Sequence, residues 1–259
     1  MSALLFDIGR SKVRVAFSSN FEDFEEPRVF GTPVDFSEGI KEISETARSV
    51  AKGRDFEKIV GGMSRSIPGW STERVKESFA STFGKEPIIE NDAAIAGLGE
   101  AVYGAGKGFD IVAYVTVSTG VGGARIVGRQ IDDRAVGFEP GKQIIDIEEG
   151  VVRTLEDLIS GKALEFVEGK NPKDVSDQNV WQRLAEYLAV GLNNIIVEWS
   201  PECVVLGGSM ITGDPAIPID RAESRLHEIL KIFPAVPPIK KAELGDFGGL
   251  WGALWYSKT

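Results

Sequence analysis

One cysteine and one histidine in 259 residues close off much familiar chemistry before any motif is read. With Cys203 alone there is no intramolecular disulfide framework, and the chain suits a reducing, cytoplasmic compartment. With His227 alone there are no paired imidazole ligands of the HExxH kind, and no nucleophile elbow accompanies it. His227 sits in "RAESRLHEILKIF", whose apolar spacing is that of an amphipathic helix, and it reads as a solvated helix position. Positive charge is scarce too. The 29 Lys and Arg stand against 39 Asp and Glu, a net charge of −10, which argues against nucleic acid or an anionic membrane as the main partner. Long apolar runs are missing. The opening "MSALLFDIGR" has no basic leader and is broken by Asp7, so neither a secretory signal nor a membrane span is expected. Catalysis in such a chain must rest on carboxylates, amides and backbone donors.

What is present is an α/β alternation that starts twice. Strands are expected at 2–8 and 12–18, a helix at 36–52, a strand at 58–63, a helix at 72–83, a strand at 86–89 and a helix at 92–104. Then "IVAYVTVSTGVGGARIVG", residues 111–128, repeats the opening strand, glycine turn and strand. A long helix at 179–200, the buried strand "CVVLGGS", a helix at 218–232 and a closing helix "FGGLWGALWY" complete the pattern. The economical reading is two similar α/β lobes, one over 1–107 with the closing helix 246–259 returning to it, the other over 108–245. "GAGKG" at 104–108 is the natural boundary.

The glycine turns are weak signals one at a time. "STGVGGA" at 118–124 lacks the GK[ST] of a Walker loop and does not open a helix, so a plain hairpin competes with a phosphate cradle. "LGGS" at 206–209 and "LGDFGG" at 244–249 are equally permissive alone. Together, two glycine hairpins at lobe spacing and two later glycine turns can surround one nucleotide. Between the hairpins, "IIENDAAIAGLGE" delivers Asn91 and Asp92 to the start of a small-residue helix. Either could be a simple helix cap. An ionised Asp at that position, facing a phosphate hairpin, is also what a kinase base requires.

Taken in order, five segments resemble the ROK family of sugar kinases, within the actin-like ATPase superfamily that includes hexokinase. They are "FDIGRSKVRVAF", "ENDAAIAGLGE", "VSTGVGGARIVG", "NNIIVEWSPECVVLGGSM" and "LGDFGGLWGAL", and the resemblance covers nearly the whole chain. It implies two ribonuclease-H-like lobes of βββαβα type around a central cleft, closure of the lobes on sugar, a homodimer, and transfer of a phosphoryl group from ATP with Mg²⁺ to a sugar hydroxyl. Asp92 matches the catalytic base and Asn91 a sugar contact. Asp7 matches the acid that holds magnesium, usually through water. Gly9, Arg10, Ser11 and Lys12 match the first phosphate turn, and Thr119, Gly120 and Gly122 the second. Gly207, Gly208 and Gly249 match glycines flanking the adenosine. "IPGW" resembles a segment on the sugar side, so Trp70 borders the pocket or is simply a core aromatic.

The departures are specific. After the second hairpin the family pattern has a Glu-x-Gly-His element and a cysteine segment that binds structural zinc. Here "GFEPGKQIIDIEEGVVRTLEDLISGKAL" keeps Glu139 and Gly141 but has Lys142 for the histidine, and Ile147, Glu149 and Thr154 fall at cysteine positions. No zinc site is expected. Glu156 matches the sugar-binding Glu, with a solvated helix face as its alternative, as a surface loop is for Glu139. Lys142 donates only, so the preferred sugar is expected to differ, and a negatively charged group on it becomes attractive. Ala94 replaces a frequent second Asn. The chain is shorter than typical members before "IPGW", and the absence of a helix-turn-helix before residue 4 argues against the repressor branch. Arg10 replaces the second glycine of the usual DxGGT motif. It either folds outward or reaches a phosphate as a cation. A sugar- or nucleotide-binding sensor without efficient turnover, and a related phosphotransferase with another acceptor, remain as rival readings.

Overall fold

The computed structural model describes residues 2–132 and 135–259. Two compact units divide the chain: one runs up to Tyr103 and also takes Asp246–Thr259, the other is Gly104–Gly245. In chain order the first contains β1 (Ala3–Ile8), β2 (Lys12–Ser18), β3 (Arg28–Gly31), α1 (Phe36–Ala51), β4 (Lys58–Met63), α2 (Thr72–Phe83), β5 (Ile88–Asn91) and α3 (Asp92–Val102). The second contains β6 (Ile111–Val117), β7 (Val121–Val127), β8 (Gln130–Ile131), β9 (Ile144–Glu148), β10 (Val151–Thr154), α4 (Leu155–Ile159), α5 (Gly161–Glu168), α6 (Gln178–Trp199), β11 (Cys203–Gly207), α7 (Ser209–Thr212), α8 (Ile219–Ile229) and β12 (Ile239–Lys241). The chain closes with α9 (Gly248–Tyr256) in the first unit.

Both units are built on the same sheet. The first has strand order β3-β2-β1-β4-β5 and the second β12-β11-β6-β7-β8. In each, three strands joined by hairpins are antiparallel, and the first of them is flanked on its other side by parallel strands. That position explains β1, whose six residues are all buried. A strand central in a sheet and covered on both faces reads as a continuous apolar run rather than an alternation.

The helices follow from caps and stripes. Asp35 and Ser71 accept the N–H groups of Glu38 and Arg74 at the starts of α1 and α2, and Gly84 ends α2 with φ of 67°. Along α6 the apolar stripe Val180, Leu184, Leu188, Leu192 and Ile195 faces the core of the second unit. In the first unit α3 and α9 meet backbone to backbone. A Cβ at Gly252 would lie 1.7 Å from the Ile95 carbonyl oxygen, and one at Gly99 would lie 2.3 Å from that of Gly248. Only glycine allows that approach, and it seats the C-terminal helix on the first unit.

Two sequence expectations need correction. The strand expected at 86–89 lies at Ile88–Asn91, because its register with β4 pairs Val60 with Ile88 and Met63 with Asn91. The strand therefore runs directly into α3 without a loop. The edge strand β3 and the hairpin β9–β10 were not expected; both are short, and neither has the apolar alternation that would announce it.

Candidate active site

The opening turn is a tight link between β1 and β2. Gly9 N–H donates to the Lys12 carbonyl at 3.0 Å, while Thr32 donates its hydroxyl to the Gly9 carbonyl at 2.7 Å and its N–H to that of Ser11 at 3.1 Å. The carbonyls are thus tied inward. Among the described residues the N–H groups of Arg10 and Ser11 have no acceptor, and both residues are exposed. Such a turn offers donors to an anion. Arg10 projects at its tip without an ion-pair partner among the described residues. Lys12 is paired with Asp246 at 2.8 Å.

Behind the turn lies Asp7. The hairpin register places it opposite Arg14, whose Nη1 donates to Asp7 Oδ2 at 2.9 Å; Arg14 Nη2 also lies 3.4 Å from Asp246 Oδ1. A Cβ at Gly249 would lie 2.8 Å from Asp7 Cγ, so α9 begins against this carboxylate. Burial pushes the Asp7 carboxyl up to about 6, with Arg14 opposing and the nearby Asp92 reinforcing the rise.

Asp92 is the first residue of α3. Asn91 caps that helix, its Oδ1 accepting Ala94 N–H at 3.0 Å, while Asp92 Oδ1 accepts Ala93 N–H at 3.0 Å. Burial raises the Asp92 pKa, against the backbone donor, a Ser64 hydroxyl and the charge of Arg65. A Cβ on Gly62 would lie 3.1 Å from Asp92 Cα and 3.6 Å from Asp7 Oδ1, so the two acids flank one glycine of β4. Burial outweighs the Arg14 guanidinium on Asp7 Oδ2 and the charge of Arg65 near Asp92, so both acids have raised pKa and offer carboxylate oxygens side by side. That fits a divalent cation held through water.

In the second unit the turn between β6 and β7 has the same backbone logic. Ser118 carbonyl accepts Gly161 N–H at 2.7 Å, Thr119 carbonyl accepts Lys162 N–H at 3.4 Å, and Gly120 carbonyl accepts Ser118 N–H at 2.8 Å. Among the described residues the N–H groups of Thr119 and Gly120 have no acceptor. The next amide, Val121 N–H, donates to Glu156 Oε2 at 2.8 Å. Glu156 Oε1 accepts from Lys142 Nζ, and that bond raises the lysine pKa. Glu139 is exposed just before the 3-10 turn Pro140–Lys142. Gly122 sits in β7 opposite Thr116.

The remaining candidates are placed less suggestively. Gly207 is buried at the end of β11 against the Tyr114 hydroxyl, and Gly208, with φ of 86°, would bring a Cβ to 2.3 Å from the Val117 carbonyl. Trp70 is 8% exposed in the core of the first unit, edge-on to Phe36 and lying over Gly39. It is a core aromatic. Lys142, expected to attract a negative group, places its ammonium on Glu156 Oε1 and keeps a side chain 60% exposed. His227 is exposed on α8, and burial lifts the Cys203 thiol to about 11, which leaves it unreactive. A hollow of about 370 Å³ lined by Arg153, Asp157, Leu158, Arg183 and Tyr187 contains none of these candidates.

Sequence reasoning missed Arg14, Asp246 and Ser64. The signal for Arg14 was available: a turn closing Gly9 on Lys12 forces Asp7 opposite Arg14, since paired residue numbers keep a constant sum. Asp246 could not be paired from sequence, because 234 residues separate it from Lys12.

Comparison with known proteins bears on the family and the fold. The ROK family model matches residues 57–259. A fructokinase of Pediococcus pentosaceus is 27% identical over 201 residues, which is 72% of this chain and 69% of that protein. A xylose repressor of Bacillus subtilis is 28% identical over 171 residues, 57% of this chain but only 44% of the repressor. Among solved structures, a ROK hexokinase from Thermus thermophilus superposes with a TM-score of 0.81 at 23% identity, covering 100% of this chain and 99% of its own. A ROK glucokinase from Streptomyces griseus, in complex with glucose and AMPPNP, gives 0.80 at 20% identity with 99% of both chains covered. At these identities the structures speak for the fold, which is the mixed α/β fold of two lobes that this family shares. On the family match over most of its length, the chain belongs to the ROK family.

Proposed function

We propose that this protein is an ATP-dependent sugar kinase that transfers the γ-phosphoryl group to a hydroxyl of a hexose or amino sugar, with Asp92 as general base. The observation that carries the reading is the Asp92 carboxylate, fixed at the start of α3 by Ala93 N–H and made more basic by burial. In the reaction this carboxylate takes the proton of the sugar hydroxyl as the new O–P bond forms and the bond to ADP breaks. Asn91 spends Oδ1 on the cap and keeps Nδ2 to donate to a sugar oxygen. Glu139 is an exposed acceptor for sugar hydroxyls. The outward amides of Arg10, Ser11, Thr119 and Gly120 are donors for phosphate oxygens, with Lys12 beside the first pair. Gly207, Gly208 and Gly249 are adenosine-side glycines on the family resemblance, their missing side chains already being required by Tyr114, Val117 and Asp7. When bound, Mg²⁺ supplies charge neutralisation on the phosphates, and Asp7 is the residue that would hold it.

The relatives named above support the substrate class, one being called a fructokinase and one solved with glucose and AMPPNP. Among the described residues no helix is long and apolar enough to cross a membrane, and the lone buried thiol suits the cytoplasm. A second reading, a sugar-responsive sensor, is favoured by Arg10 in the first phosphate turn and by the xylose repressor match. ADP release with Mg-ATP over hexoses, N-acetylated amino sugars and sugar acids separates the two. Sugar-dependent release lost in Asp92→Asn supports the kinase. Release that is absent with every sugar, while sugar and nucleotide still bind, supports the sensor.

A further inference from the structure

Glu156 is a carboxylate set against the second phosphate turn, and its two oxygens do different things. Oε2 accepts the Val121 N–H that follows the turn, and a Cβ on Gly120 would lie 2.7 Å from that same oxygen. Oε1 accepts the Lys142 ammonium at 2.5 Å. Lysine reaches this point because its 3-10 turn is seated on β7: a Cβ at Gly141 would lie 2.3 Å from the Val121 carbonyl oxygen, and one at Gly123 would lie 2.8 Å from Pro140 Cγ. The start of α4 is tied to the same turn, Leu155 N–H donating to the Gln143 carbonyl at 3.0 Å. Three segments therefore converge on one side chain.

A negative charge placed under amides that are to receive phosphate opposes binding, since like charges a few ångströms apart repel strongly when partly desolvated. Glu156 is only 28% exposed, and among the described residues its ion-pair partner is Lys142. We propose that Lys142 is a positioning residue for the phosphate donor: its ammonium neutralises Glu156 and holds that carboxylate on Val121 N–H, so that the turn Ser118–Gly120 keeps its amides outward for phosphate. This rests on the kinase reading for its ligand, but the hydrogen-bonded tie can be read without one.

The test compares wild type, Lys142→Met, Lys142→Arg and the double variant Lys142→Met/Glu156→Gln. Two quantities are measured: equilibrium binding of a non-hydrolysable ATP analogue, and hydrogen exchange at the Val121 amide. Lys142→Met is expected to weaken nucleotide binding roughly threefold to fivefold, the scale of a half-exposed ion pair, and to speed Val121 exchange by a similar factor. Lys142→Arg should restore both. The double variant should recover nucleotide affinity, because the offending charge is gone. Lys142→Met binding and exchanging as wild type does, or a double variant no better than the single one, overturns the proposal. Wild type that binds no nucleotide overturns the kinase reading instead, and Val121 exchange then decides on the tie alone.

Discussion

The turns at 9–12 and 118–120 make the same backbone and reach opposite electrostatic solutions. Both link the first two strands of a five-stranded sheet of one topology, and both tie their carbonyls inward and leave two consecutive amides outward. The first is rimmed by Arg10 and Lys12, with Arg14 behind it on Asp7. The second has a carboxylate underneath, neutralised from a neighbouring turn by Lys142. Backbone geometry follows from topology and repeats; charge is a property of individual side chains and does not. The first turn is also the one coupled to the acids Asp7 and Asp92, so the two turns are expected to fail differently when altered.

The largest effect is expected from Asp92→Asn. Turnover should fall by at least about 100-fold, the scale of a lost general base, with nucleotide and sugar binding retained. Because burial raises the Asp92 pKa, its ionised form is unfavourable in the folded state, so the amide should also melt no lower than wild type at pH about 8. Turnover that survives would remove Asp92, and with it the functional distinction of the first unit. Next comes Arg14→Met, which leaves Asp7 and the Nη2 contact to Asp246 without their guanidinium. Breaking a buried pair costs about 3 kcal/mol, read from urea unfolding. A loss under about 1 kcal/mol would mean that the Arg14 pair behind the first turn contributes no more than a surface ion pair does.

The pH dependence of Asp7 sharpens the same contrast. Its folded pKa of about 6 lies above the ordinary 3.8, so the folded state holds this proton more tightly than the unfolded chain does. Its contribution to stability is therefore full below about pH 4 and declines as pH rises to about 6, by up to about 3 kcal/mol. The stability of wild type relative to Asp7→Asn should fall across that window, and a difference that stays flat would show that Arg14 fully offsets the burial. The smallest effect is expected from Arg10→Gly. If the guanidinium reaches phosphate, nucleotide binding weakens by no more than about fivefold; equal or tighter binding would assign Arg10 to solvent and make the two turns more alike.

Much of the fold was legible because its signals are local. β4 at 58–63 and α2 at 72–83 follow from an apolar run between turns and from a Ser cap with a closing glycine. The restart at 111 was legible because a repeat needs no knowledge of contacts. The β9–β10 hairpin was not, since its residues Ile144, Ile147, Val151 and Val152 are exposed and carry no inward-outward alternation.

For the site, the sequence by itself determined the roster of chemistry: no imidazole pair, no thiolate cluster, two glycine turns, and carboxylates at 7, 92, 139 and 156 in a recognisable order. Residue type and spacing suffice for that, because a group either exists in the chain or does not. Only the tertiary structure decided how each charge is spent. It gave Arg14 to Asp7 and Asp246, Lys142 to Glu156, and Trp70 to the core. Those assignments depend on desolvation and on distances of a few ångströms between segments far apart in sequence, and Coulomb energies change too steeply at that range for order along the chain to fix them.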